Sequence, residues 1–244
     1  MDSEEALAPL EDACTVVLLR DGEHGLEVLM LERPRSSSAF GGAWVFPGGK
    51  VDPQDRPGPH GGLRSELAGA RAAGLREVAE ETGQHLSSAN LVHLSKWTPM
   101  QRLPRRFRTW FLLARANGGD VALNPGEHED YAWLTPSEVL RRHAAAEMVL
   151  VQPTWVTLHH LQEFATVQAA LAAAEKATPV EYNSYFLTEN GAAVTGHPLG
   201  VVWAGDEAYP GGQARPGDRH RLNVQGLPWV FECNVSAPAL SDLD

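Results

Sequence analysis

The stretch "LREVAEETG", Leu75 to Gly83, decides how this chain is read, because it sets Glu77, Glu80 and Glu81 within one turn of a helix. Like charges at i, i+3 and i+4 repel. Arg76 can pair with Glu80 at i+4, and no lysine stands nearby to neutralise the others. A helix that keeps such a cluster either leaves it in bulk water or brings a cation to it.

Working outward, apolar residues at helical spacing (Leu67, Ala70 or Arg71, Leu75, Val78, Thr82) predict a helix from about Ser65 to Thr82. Ser65 is its expected N-cap and Gly83 its C′ residue. Ahead of it, "DPQDRPGPHGG" (Asp52 to Gly62) carries three prolines and three glycines, which predicts an exposed loop without regular structure. Further upstream, "CTVVLLR" and "LEVLMLER" flank "DGEHG" as a hairpin, and "SSSAFGGAWVFPGGKVDPQD" reads as loop, short strand, loop. Downstream, "LVHLSKWT", "FRTWFLLAR" and "YAWLT" read as strands. "PSEVLRRHAAA" and "PTWVTLHHLQEFATVQAALAAAEKA" read as two helices, each with proline near its start. Strands alternating with helices favour an α/β architecture.

After Ala177 the composition changes. "VEYNSYFLTENGAAVTG", with a hairpin-like Asn190-Gly191, and "HRLNVQGLPWVFECNV" are β-prone, so residues 178–244 form a β-rich C-terminal extension to a main domain of residues 1–177. Its apolar runs are short and interrupted by "GDEAYPGGQARPGD", so its own core would be small. It needs a partner surface, either the main domain or a second subunit in a homodimer.

A net charge of -11 argues against nucleic-acid binding, and no apolar run approaches the length of a membrane span. The acidic opening "MDSEEALAPLED" is unlike a secretory leader, which supports a cytoplasmic location. Cys14 and Cys233 match no metal-ligand spacing and read as reduced. Against the acidic background, "RLPRRFR" is a basic island. In a strand, Arg106 and Arg108 share a face and could receive an anionic substrate, while Trp97 and Trp110 could stack on a base. His159 and His160 have no partner at ligand spacing.

A Gly48-Gly49 loop, a carboxylate soon after it (Asp55) and a helix ending in three glutamates make an oxygen-rich donor set suited to a hard cation, Mg²⁺ or Mn²⁺. "GGKVDPQD" followed by "LREVAEETG" resembles the signature of the Nudix hydrolases. In this resemblance Asp55 stands where glutamate is usual, Gln84 replaces an aliphatic residue, and the box, residues 49–84, carries an insertion at 56–68. The resemblance implies an α/β/α sandwich with a mixed sheet. It implies that Glu77, Glu80 and Glu81 bind metal with the Gly48 carbonyl, and that Arg76 orients a glutamate and pairs with Asp55. Glu127 is implied as a further metal-binding or base residue. "ERPRSSSAFGGAWVFPGG", led by Arg33, and "QPTWVTLHHL" are similar to the coenzyme A diphosphatase subgroup. The substrate implied is a nucleoside diphosphate linked to another group, with coenzyme A or acyl-CoA first and ADP-ribose or NADH as the alternative. A Nudix-fold nucleotide-binding module without catalysis is the reading from another class.

Overall fold

The protein is described by a computed structural model covering residues 7–37, 40–56, 62–99, 103–188 and 198–235, with the backbone alone for 62–65. Two expected features, the Asn190-Gly191 turn and residues 57–61 of the loop expected over 52–62, lie outside the described residues.

Among the described residues, eleven strands form one mixed sheet. They are β1 (Leu10–Gly22), β2 (Gly25–Glu32), β3 (Trp44–Val45), β4 (Gly48–Lys50), β5 (Val92–Pro99), β6 (Arg106–Arg115), β7 (Asp130–Leu134), β8 (Val180–Leu187), β9 (Gly200–Val202), β10 (His220–Asn223) and β11 (Val230–Cys233). The order is β11-β10-β9-β8-β5-β6-β1-β2-β3, with β4 paired to β1 and β7 to β2. The β1–β2 hairpin is antiparallel, whereas β1–β6 and β5–β8 run parallel.

Period-two alternation sorts the central strands onto two faces. Cys14, Val16 and Leu18 of β1, Leu29 and Leu31 of β2, and Trp110, Leu112 and Ala114 of β6 pack under α1 (Gly62–Thr82). Val17, Leu19, Val28, Met30, Phe111 and Leu113 face the other way. There they meet α2 (Pro136–Ala144), α3 (Gln152–Leu161) and α4 (Val167–Lys176) through Val139, Trp155, Leu158 and Ala170. The result is the α/β/α sandwich with a mixed sheet that the sequence implied. Among the described residues no helix is long and apolar enough to cross a membrane. Cys14 is buried and Cys233 exposed.

Three elements differ from expectation. The helix begins at Gly62, so Ser65 lies in its first turn and is not the N-cap; the last residue that disfavours helix is Gly62 itself. Within the supposedly irregular loop, Pro53–Asp55 closes one 3-10 turn, in which the Asp55 carboxylate accepts the N–H of Asp52 at 2.9 Å. The single helix expected over 153–177 is two, α3 and α4. The Thr166 hydroxyl caps the second by accepting from the Ala169 N–H, and Asp21 accepts the N–H of Val167 at 2.8 Å. No glycine or proline marks this break, and Asp21 comes from the β1–β2 hairpin.

The strands β8 to β11 continue the same sheet outward from β5. Tyr182 of β8 stacks on Trp97 of β5 with ring centroids 3.8 Å apart, and Trp203 meets both edge-on.

Candidate active site

Alanines 70 and 73 and Gly74, small residues in mid-helix, let α1 lie close to β1. A Cβ on Gly74 would stand 2.8 Å from both the Cys14 sulfur and a Val16 methyl. This approach carries the last turn of α1 onto β4, which pairs Gly48 with Thr15 and Gly49 with Cys14. Gly48 is required by contact with backbone, whereas Gly49 gives room to the end of the Glu77 side chain. A side chain on Gly48 would strike the Cys14 carbonyl, and one on Gly49 would strike the Glu77 carboxylate.

Arg76 is the hub. Its guanidinium donates to Asp55 Oδ2 at 2.9 Å, Glu77 Oε1 at 2.8 Å, Glu80 Oε2 at 3.1 Å and the Lys50 carbonyl at 3.0 Å. Burial alone would raise the Asp55 carboxyl, but Arg76 and the Asp52 N–H outweigh it and hold it below the usual carboxylate range. The 3-10 turn therefore brings the shorter aspartate to the arginine. Glu77 goes the other way: burial raises its carboxyl, Glu81 and Glu80 add to the rise, and Arg76 opposes it.

Glu81, 3% exposed, accepts the Gly48 N–H at 2.8 Å through one oxygen, and its other oxygen lies 2.9 Å from His128 Nε2. His128 is 2% exposed, and its Nδ1 is buried without a hydrogen-bond partner. Glu81, Glu127 and His128 each place one donor atom within 4.8 Å of the other two. The "NPGEHED" loop that carries Glu127 and His128 winds on Asn124, whose carbonyl accepts the N–H groups of Glu127 and His128 and whose own N–H donates to Glu81 O. Gln84, at the aliphatic position of the signature, is buried and donates to Gly119 O while accepting from Asn117 N–H. It fixes the next stretch of chain against the end of α1.

These residues fit a divalent cation. Glu77 and Glu80 share one guanidinium, that of Arg76, which Asp55 already engages, and Glu80 and Glu81 stand near enough to Glu77 to push its carboxyl upward. A buried carboxylate in such company is stable only with additional positive charge. The grouped donors are the Glu81 and Glu127 carboxylates with His128, an imidazole that the sequence pattern does not mark. A single histidine in a polar loop has no spacing signal; only the fold reveals its partner.

A cavity of about 310 Å³ opens beside Gly48 and Thr15. Arg33 and the edge of Trp97 line it. Trp97 is also a core residue, as its burial and stacking on Tyr182 show. Arg106 and Arg108 do share a face, but the cavity is lined by the odd positions Phe107, Thr109 and Phe111 of the same strand. Arg106 instead donates to the carbonyls of Ala8 and Pro99, and Arg108 pairs with Asp12 and Glu66 over the face of the buried Trp110. Phe40 stands at the cavity 63% exposed with φ 53°, a conformation bulky side chains rarely adopt.

The family described as NUDIX domain matches residues 9–155. A comparison with curated proteins returns no match. Among solved structures, a Nudix hydrolase from Alicyclobacillus acidocaldarius is similar with a TM-score of 0.60 at 23% identity, over 68% of this chain and 97% of that one. The Nudix domain of Shewanella oneidensis NrtR complexed with ADP ribose gives 0.48 at 19% identity, over 66% and 92%. A MutT Nudix hydrolase from Burkholderia pseudomallei gives 0.46 at 21%, over 62% and 98%. With more than half of its length matched, through the glycine loop and the acidic end of α1, the chain belongs to the Nudix family.

Proposed function

We propose that this protein hydrolyses the diphosphate bond of a nucleoside diphosphate linked to another group, using Mg²⁺ or Mn²⁺, with coenzyme A or an acyl-CoA as the first substrate candidate. The observation that supports this most is the position of Gly48, which borders both the glutamate cluster and the cavity. A diphosphate at Gly48 would have its phosphates beside the carboxylates and its organic part in the cavity.

Glu77, Glu80 and Glu81 would hold the cation together with the Gly48 carbonyl, and a divalent ion there would supply charge neutralisation at the diphosphate oxygens and a more acidic water. Arg76 keeps Glu77 and Glu80 in register and leaves Asp55 no freedom to compete for the cation. Glu127, exposed at the edge of the cluster, accepts the proton of the attacking water. Water adds to one phosphorus, the bridging P–O bond breaks, and two phosphate monoesters leave, with no covalent enzyme intermediate.

The test is a substrate screen with coenzyme A, ADP-ribose, NADH and diadenosine polyphosphates under Mg²⁺ or Mn²⁺, with products read by phosphorus NMR. Metal-dependent release of 4′-phosphopantetheine and a nucleoside bisphosphate from coenzyme A is expected. Turnover confined to ADP-ribose or NADH would transfer the assignment to that substrate class, and binding without turnover of any compound would make the chain a nucleotide-binding module.

A further inference from the structure

The matched Nudix span ends at residue 155, yet Ser184 and Phe186 of β8 and Val201 of β9 line the cavity that contains Thr15 and Gly48. Register puts them there. Parallel pairing sets Tyr182 opposite Trp97 and Ser184 opposite Pro99, so Ser184 and Phe186 fall on the same face of β8 as Tyr182. Antiparallel pairing sets Val201 directly opposite Phe186. This face continues the one on β6 that carries Phe107 and Thr109.

The lining is chemically uneven. Among the described residues it includes Arg33 and Arg105 and no aspartate or glutamate, in a chain of net charge -11. Nε of Arg33 is buried with no hydrogen-bond partner. The remainder is dominated by aromatic and aliphatic side chains, with Phe186 and Val201 supplied by the extension. Such a site suits a ligand with an anionic group for the arginines and an apolar body for the rest.

We infer that the C-terminal extension is a specificity wall of the active site, and that Phe186 and Val201 receive an apolar arm carried by the phosphate on the far side of the scissile bond. Phe186 is thus a specificity-determining residue. The inference rests on the hydrolase reading for its chemistry, but the binding it describes can be measured alone.

The test uses the full chain with Phe186→Trp, which constricts the cavity, and Phe186→Ala, which widens it. Octanoyl-CoA is the probe with an apolar chain, coenzyme A the probe with its amide-bearing pantetheine arm alone, and ADP-ribose the probe with neither. Phe186→Trp is expected to raise KM for octanoyl-CoA about tenfold with kcat held within about threefold, and Phe186→Ala is expected to shift preference toward the octanoyl ester. KM for ADP-ribose should not move in either variant. Calorimetric binding of coenzyme A without metal should weaken in Phe186→Trp by the same factor as KM. Two folded variants with wild-type binding and wild-type KM ratios, or a wild-type protein that binds neither thioester nor coenzyme A, would overturn the inference. Turnover of ADP-ribose in that case leaves the hydrolase reading standing, whereas binding sensitive to Phe186 without turnover of any probe supports the wall and removes the hydrolase.

Discussion

Arg76 hydrogen-bonds to Asp55, Glu77, Glu80 and the Lys50 carbonyl, a reach that only a planar fork provides. Arg76→Lys should therefore cut kcat/KM by about 10–100-fold with the melting temperature little changed, which steady-state kinetics and calorimetry will check. The two glutamates at the end of the helix should behave differently from each other. The Glu80 side chain is 52% exposed, so Glu80→Gln should leave stability within about 0.5 kcal/mol while lowering turnover by orders of magnitude under limiting Mg²⁺. Near-wild-type activity in that variant would refute the metal assignment. Glu81 also belongs to the packing, and Glu81→Ala strands the Gly48 N–H and His128 at a cost of about 1–3 kcal/mol, visible in denaturant unfolding. The glutamates were legible in the sequence because helical periodicity alone groups them. His128 was not, since its partner is fixed by the way the Asn124 loop folds back on α1.

At the scale of elements, the contact between α1 and β1 sets where the acidic turn sits. Gly74→Ala introduces a methyl 2.8 Å from Cys14 and Val16, so α1 must shift; a loss of about 1–3 kcal/mol together with reduced activity is expected. Gly49→Ala separates the two effects, because it displaces only the flexible end of Glu77, and activity should fall with stability nearly kept. The helix and most strands could be read from pattern. The division between α3 and α4 could not, because it depends on Asp21, and neither could the choice of face on β6, because alternation pairs Arg106 with Arg108 without saying which side they occupy. In the extension, burial raises the Asp206 carboxyl, but Arg221 and the N–H groups of His220 and Ala208 outweigh it and hold it low. A depressed carboxyl contributes stability above its unfolded pKa and loses it as pH falls through the folded value. Acid titration should thus loosen the Trp203 region below about pH 4, and Asp206→Asn should remove that pH dependence from the tryptophan fluorescence.

For the whole molecule, a single sheet joins the Nudix-matched span to the strands that follow it. Truncation after Ala177 takes away Tyr182 and Trp203 from the ring of Trp97. The shortened protein should melt lower and bind a hydrophobic dye, and sedimentation will show whether a dimer is lost with it; a stable, fully active remnant would contradict this. The extension was visible in the sequence as β-rich, but its docking on β5 was not, because parallel pairing between distant strands leaves no local mark. That same topology dictates the order in which the chain can be completed during synthesis. The register of β1 with β6 joins Leu10 to Arg106 and Leu19 to Arg115, so β1, once out of the ribosome, must wait for nearly a hundred more residues before its second long edge is covered. Until then the nascent hairpin exposes an apolar strand edge of the kind that seeks foreign partners, and its spontaneous refolding belongs with the slow, long-range topologies, in the range of about milliseconds to seconds.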